Sequence, residues 1–303
     1  MKISILDAYT INPGDLSWSP LEKYCTLTCY DRTPDELIIE RMQDMDGIFV
    51  SKCKITAEIM DACPNLRFIG VTATGYDNVD VEAAKARGIA VANNPAYSTE
   101  AVAQHTFSLI LELTNHIGSY DSSVKAGDWY SCSDFCYLLD PISLLDGKSL
   151  GIIGYGNIGR KVGKIGEAFG MNINIYSVDP KAAQHSDILT LHCPLTDENL
   201  GFINSEFISG MKPGAILINT ARGALINAAD VADALKSGQL SGAGIDVLET
   251  EPPIRPNPLI GLDNCIVTPH IAWMPKETRQ RVIDMSTDNL ESFLKGEQLN
   301  RVV

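Results

Sequence analysis

A chain of 303 residues with 45% hydrophobic content has room for two globular domains with sizeable cores. Its net charge of -14 and sequence pI near 4.7 create a field that repels phosphate backbones and anionic lipid, so no nucleic-acid or membrane partner is expected and a small anionic substrate needs cations placed locally. The eight cysteines are scattered without CxxC pairs or clustered histidines, "MKISILDAYT" reads as a first strand and not a signal peptide, and no apolar run reaches membrane length, so a cytoplasmic protein without a metal site is expected.

In chain order, β-rich runs alternate with helical patterns: "KISILDA", "DELIIERM", "GIFVSK", "ITAEIMDAC", "LRFIGVTATG", "VDVEAAKARG" and "IAVANN". This alternation predicts a parallel sheet flanked by helices. Near residue 98 the texture changes. "STEAVAQHTFSLILELTNHIG" opens on Ser98 or Thr99 as a capping residue and carries a long apolar face, suited to joining two lobes. The aromatic, weakly periodic "GDWYSCSDFCYLLDPISLLDGK" follows. It can serve as a lid, a packed irregular segment or an arm to another subunit; the arm is expected, and with it a homodimer.

A second alternating series then runs through "KSLGIIGYGNIG", "MNINIYS", "SDILTLHCP", "GAILINTARG", "LSGAGIDVL" and "NCIVTPHIA". A final helical stretch, "KETRQRVIDMSTDNLESFLKGE", can return the chain to the first lobe. The expected fold class is therefore α/β with two lobes, each a doubly wound parallel sheet. Residues 1–98 with 275–303 are expected to form a substrate domain, and residues 99–274 a nucleotide-binding domain.

"LGIIGYGNIGR" places Gly154, Gly156 and Gly159 after an apolar strand and before a helical run. A GxGxxG pattern is weak alone, but in this setting each glycine has a task. Gly154 permits the tight turn, Gly156 lets backbone approach a pyrophosphate, and Gly159 allows close strand-to-helix packing. Asn157 and Ile158 begin the helix whose N-terminus faces the anion. The acid usually found at the end of the next strand is replaced by Ser177, and the nearest carboxylate is Asp179. NAD is the expected cofactor. NADP stays open, because Ser177 does not repel a 2′-phosphate and Lys181 lies close by in sequence.

Three later strand ends carry the remaining chemistry: Arg222 after "ILINTA", Asp246 and Glu251 in "IDVLETE", and His270 in "TPHIAW". A lone histidine at a strand end is as well explained as a hydrogen-bonded filler. In an open parallel sheet, however, ligands bind at the carboxyl ends of strands, so a cation, two acids and an imidazole at successive ends are expected to share one cleft.

The motifs "GYGNIG", "LHCPLT", "NTARGALI", "IDVLETEPP" and "TPHIAW", in that order, make the chain resemble the D-isomer-specific 2-hydroxyacid dehydrogenases over nearly its whole length. Within that family "VTATGYDNVD" and "PHIAWMPKETRQR" look most like glycerate dehydrogenases, also called hydroxypyruvate reductases. The resemblance implies a flavodoxin-like substrate domain, a Rossmann domain, and exchange of a hydride between a nicotinamide and a small 2-keto or D-2-hydroxy acid, with hydroxypyruvate or glyoxylate first in line. It implies His270 as the proton donor, an imidazole being suited to proton transfer near neutral pH. Glu251 would orient that ring, Arg222 would hold the substrate carboxylate as a planar fork, and Asp246 would hold the nicotinamide carboxamide. Cys193, Pro194, Thr220 and Ala221 would wall the cofactor together with Arg222 and His270. Ala73, Thr74, Gly75 and Trp273 would line the substrate side. The alternative reading is a dinucleotide-sensing binding protein, like the corepressor relatives of this fold, with little turnover.

One departure stands out. The family normally carries about twenty more residues, with another short strand and helix, where this chain has only "VDPKAAQ". Either the adenine pocket is truncated or residues are missing from the sequence as read; the second is expected, since a lost pocket wall exposes apolar surface.

Overall fold

The computed structural model describes residues 1–254 and 256–303. The chain divides into two compact units, Met1–Ser98 with Met274–Val303, and Thr99–Trp273. Each is an α/β layer structure with an all-parallel sheet.

The first unit contains β1 (Lys2–Ile5), β2 (Thr26–Cys29), β3 (Gly47–Val50), β4 (Phe68–Val71) and β5 (Ala90–Ala92), in the order β2-β1-β3-β4-β5. That is the flavodoxin-like order, with its reversal between β1 and β3. Parallel strands buried on both faces need continuous apolar runs, and the two-residue period of a strand sends alternate side chains to opposite cores. Accordingly Ile48, Val50, Ile69 and Val71 join one cluster with Ile38, Met42 and Met60, while Phe49 and Phe68 join another with Leu21 and Leu290. Each such side chain, fully buried, contributes roughly 2 kcal/mol. The helix Lys276–Lys295 belongs to this unit and packs Phe293 against Phe68 with the rings tilted by 37° and their centroids 5.0 Å apart. Strand β2 lies outside the predicted alternation: it is four residues long and partly exposed at the sheet edge.

The second unit contains β6 (Ser149–Ile153), β7 (Asn172–Ile175), β8 (Ile188–Leu191), β9 (Ala215–Asn219), β10 (Leu240–Ile245) and β11 (Cys265–Val267), in the order β11-β10-β9-β8-β6-β7. Its helix Thr99–Asn115 lies over the sheet: Leu109 packs within 2.9 Å of the position a side chain on Gly244 would take. The switch point lies between β6 and β8, so the loops after these two strands flank a crevice at the carboxyl edge.

The expectation of missing residues after β7 is corrected here. The 303-residue chain is continuous from Ile175 to Ile188 and crosses β6 through one short helix, Pro180–Gln184. Asp179 caps that helix by accepting from Ala182 N–H at 3.0 Å. Asn174 donates to Ala182 O and Ser186 Oγ, and Gln184 donates to Phe207 O at 2.7 Å. The helix lies directly on β6, for a side chain on Gly151 would meet Ala183 O at 2.2 Å. Packing therefore closes over the shortened connection.

Candidate active site

The glycine loop sits at the end of β6. Gly154 has φ +92°, and a Cβ there would stand 2.4 Å from Cys193 N; one on Gly159 would stand 2.2 Å from Gly154 O. Both close approaches require glycine and bring the helix Asn157–Ala168 against the strand that launches it. Gly156, by contrast, has nothing within 4 Å of a would-be Cβ. It is exposed with Asn157, Ile158 is half-buried beside them, and Gly156 caps the helix. Open space before a helix N-terminus rich in unpaired amides fits a pyrophosphate, so these residues suit a dinucleotide.

Cys193 and Pro194 follow β8 beside this loop, Cys193 half-buried and Pro194 exposed. His192 lies beneath it. Burial pushes its imidazole pKa down to about 3, its Nε2 is 3.0 Å from Thr190 Oγ1, and its Nδ1 has no hydrogen-bond partner among the described residues. Such a ring is neutral and acts as packing. Ser177 is exposed after β7.

The ends of β9, β10 and β11, adjacent in the sheet, carry the charged groups. Buried Asn219 at the end of β9 accepts from Ala221 N–H and donates to Arg222 O, fixing the turn that presents Arg222. Arg222 is half-buried and donates from Nη1 to Ala221 O at 2.8 Å. Thr220 is buried, 3.2 Å from Thr106 Oγ1. A side chain on Gly223 would stand 2.0 Å from the Leu248 carbonyl carbon, so the Arg222 turn rests against the loop leading to Glu251.

Glu251 uses both oxygens: Oε1 accepts from Leu248 N–H at 2.8 Å, and Oε2 lies 2.6 Å from His270 Nδ1. A carboxylate offers only acceptors, so Nδ1 carries the hydrogen and Nε2 is left to exchange protons with a ligand. Side chains of this pair are about one-third exposed, at 32% for His270 and 31% for Glu251, which leaves the ring reachable. His270 itself has a left-handed backbone, φ +53°.

Asp246 organises that backbone. It is 1% exposed; its main-chain carbonyl accepts from His270 N–H, and its carboxylate accepts from Thr268 Oγ1 (2.6 Å), Ile271 N–H (2.9 Å) and Ala272 N–H (3.0 Å). His105 Nε2 lies 3.0 Å from Thr268 Oγ1 and 3.5 Å from the carboxylate. Burial alone would push the Asp246 carboxyl up, but the bonds from His105, Thr268, Ala272 and Ile271 together outweigh it and hold the group below its ordinary range. Sequence reasoning did not find the roles of Asn219, Thr268 and His105. Asn219 in "INTARG" carried a signal, an asparagine at a strand-to-turn junction; the other two meet only in three dimensions.

Trp273 is half-buried at the end of this unit. Ala73, Thr74 and Gly75 follow β4 in the first unit, where Thr74 Oγ1 donates to Asn94 O and Thr74 O accepts from Asn93. Among the described residues no group of three or more His, Cys, Asp or Glu side chains could hold a metal ion.

The family model described as D-isomer specific 2-hydroxyacid dehydrogenase, NAD binding domain, matches residues 107–272. Over 320 aligned positions covering 100% of this chain and 99% of the relative, the sequence is 45% identical to a hydroxypyruvate reductase of Blautia hydrogenotrophica. Set against 303 residues, those 320 positions leave at least 17 without a counterpart here. The chain is 42% identical to a glycerate dehydrogenase of Methylorubrum extorquens, with 89% of each covered. In structure it is similar to an NADPH-dependent glyoxylate/hydroxypyruvate reductase of Sinorhizobium meliloti, TM-score 0.85 and 30% identity, over 100% of this chain and 97% of that one.

Proposed function

Because the chain belongs to the D-isomer specific 2-hydroxyacid dehydrogenase family, we propose that it reduces hydroxypyruvate or glyoxylate to the 2-hydroxy acid at the carboxyl edge of its second sheet. It is an oxidoreductase that works with a nicotinamide dinucleotide. The carrying observation is the 2.6 Å contact between His270 Nδ1 and Glu251. It leaves Nε2 as the nitrogen available for proton exchange, at the carboxyl edge of the sheet that also carries the glycine loop.

A bound reduced nicotinamide supplies the hydride for the carbonyl carbon. His270 gives its Nε2 proton to the keto oxygen, turning C=O into CH–OH, and Glu251 stabilises the ring's orientation and charge through that cycle. Arg222 takes the substrate carboxylate and polarises the carbonyl with its fork of N–H groups. Asp246 holds the His270 loop, and its expected bond to the carboxamide belongs to the same proposal. Gly154, Gly156, Asn157, Ile158 and Gly159 receive the pyrophosphate, with Ser177, Cys193, Pro194, Thr220 and Ala221 bordering the nucleotide. Ala73, Thr74, Gly75 and Trp273 belong to the substrate side of the same proposal. The unit Met1–Ser98 with Met274–Val303 acts as substrate domain, one residue longer than the sequence suggested, and Thr99–Trp273 as nucleotide domain.

A cytoplasmic homodimer completes the reading. Eight free thiols favour a reducing compartment, and no described helix is long and apolar enough to cross a membrane. In the segment after Gly127, Tyr130 is 97% and Phe135 is 89% exposed, as befits an arm that awaits a partner.

Steady-state kinetics on hydroxypyruvate, glyoxylate, pyruvate and bulkier keto acids with both reduced nicotinamides tests the assignment. Hydroxypyruvate or glyoxylate should give the highest kcat/KM. Oxidation of neither NADH nor NADPH with any of these acids would sink it.

A further inference from the structure

The second sheet ends one strand early. In the doubly wound order a third strand lies outside the second, but here β7 is the edge and the chain leaves it through the short helix Pro180–Gln184. Exposure follows: Asn172 is open and the other three residues of β7 are half-exposed, whereas four of the five in β6 are buried. Tyr176 turns inward onto Phe202 and Phe207, with centroids 5.7 and 6.2 Å away. Ser177 and Val178 face outward, Val178 at 78% exposure.

This strand end is where a dinucleotide fold reads the adenosine ribose. A carboxylate there bonds the 2′-hydroxyl and repels a 2′-phosphate; a cation favours the phosphate. The position here is neutral Ser177. The first acid after it, Asp179, already caps the helix through Ala182 N–H, and Lys181 follows two residues on within that helix. The glycine loop is complete by contrast, with its tight packing at Gly154 and Gly159 and open space at Gly156.

We propose that this chain grips its dinucleotide through the pyrophosphate and nicotinamide portions and leaves the 2′ position unread, so that NADH and NADPH bind with near-equal affinity and the adenosine adds little. The inference rests on the oxidoreductase reading above and sharpens its cofactor.

Fluorescence of the reduced nicotinamide gives dissociation constants for NADH and NADPH on the purified full chain, and displacement by 5′-AMP and 2′,5′-ADP reports the adenosine contribution. The two constants should agree within about tenfold, and both adenylates should displace only at millimolar levels or above. A larger ratio in either direction, or displacement at micromolar adenylate, overturns the proposal. Ser177→Asp should weaken NADPH at least about tenfold more than NADH; equal effects on the two would show that the serine does not border the ribose and would also overturn it. Binding of neither nucleotide would instead strike the oxidoreductase reading itself, and this inference with it.

Discussion

At the scale of single residues, the hydrogen bond from His270 Nδ1 to Glu251 separates two duties that one imidazole can perform. The nitrogen facing Glu251 is committed to that bond, which leaves Nε2 for the proton transfer proposed above. His270→Gln keeps a polar side chain of similar reach but cannot carry a proton through the cycle. It should lower kcat about 10²- to 10⁴-fold while the NADH dissociation constant, read by fluorescence, stays within about twofold. Equal losses in both would assign His270 to positioning alone. Arg222, Glu251 and His270 could be singled out from the sequence because each follows an apolar strand run in a dense motif. The contact of Thr268 with His105 could not: they lie 163 positions apart, and only the packing of the Thr99–Asn115 helix on the sheet brings their side chains to 3.0 Å.

At the scale of elements, the strands of the second sheet were legible as β-rich runs bounded by turns; β6, β8, β9 and β10, buried nearly throughout, leave the strongest apolar mark, and the partly exposed edges β7 and β11 a weaker one. β2 went unread: its run TLTC carries a single aliphatic side chain, where the β7 run NINI carries two. The joins between strands depend on polar clips that no periodicity reveals. Asp187, just before β8, accepts from Ser149 N–H (2.9 Å) and Oγ (2.7 Å) at the start of β6, and from Lys212 Nζ at 2.6 Å. Burial raises its pKa, but Lys212 and Ser149 together outweigh that and hold it at about 2, below the ordinary 3.8. A depressed carboxyl stabilises the fold above its unfolded pKa and loses that contribution as pH falls through the folded value. Because Lys212 is half-exposed, the contribution is on the order of 1–2 kcal/mol at neutral pH, falling to about half by pH 3. Asp187→Asn should therefore melt below the parent at pH 7, and the gap should narrow in thermal scans at pH 3. A gap independent of pH would mean that the clip works through hydrogen bonding and not charge.

At the scale of the molecule, the net charge of -14 sets two copies against each other, so the proposed dimer would have to form by apolar contact and should strengthen as salt screens the repulsion. Sedimentation equilibrium should show a dimer at moderate ionic strength, and Phe135→Glu, adding charge to the exposed segment, should shift the population toward monomer. A monomeric parent at every concentration would remove the arm. The aromatic, unperiodic texture of residues 127–148 showed in the sequence that this segment was unusual; which surface it meets depends on a second chain, whose geometry the sequence of one copy does not encode.

The φ of +53° at His270 sets the proposed proton donor on a main-chain bend that L-residues adopt at a penalty of roughly 1 kcal/mol. Aim and comfort conflict at that hinge. Ranking altered versions of this enzyme by heat tolerance alone would drift toward residues that relax the bend and, in the same stroke, toward catalytic silence.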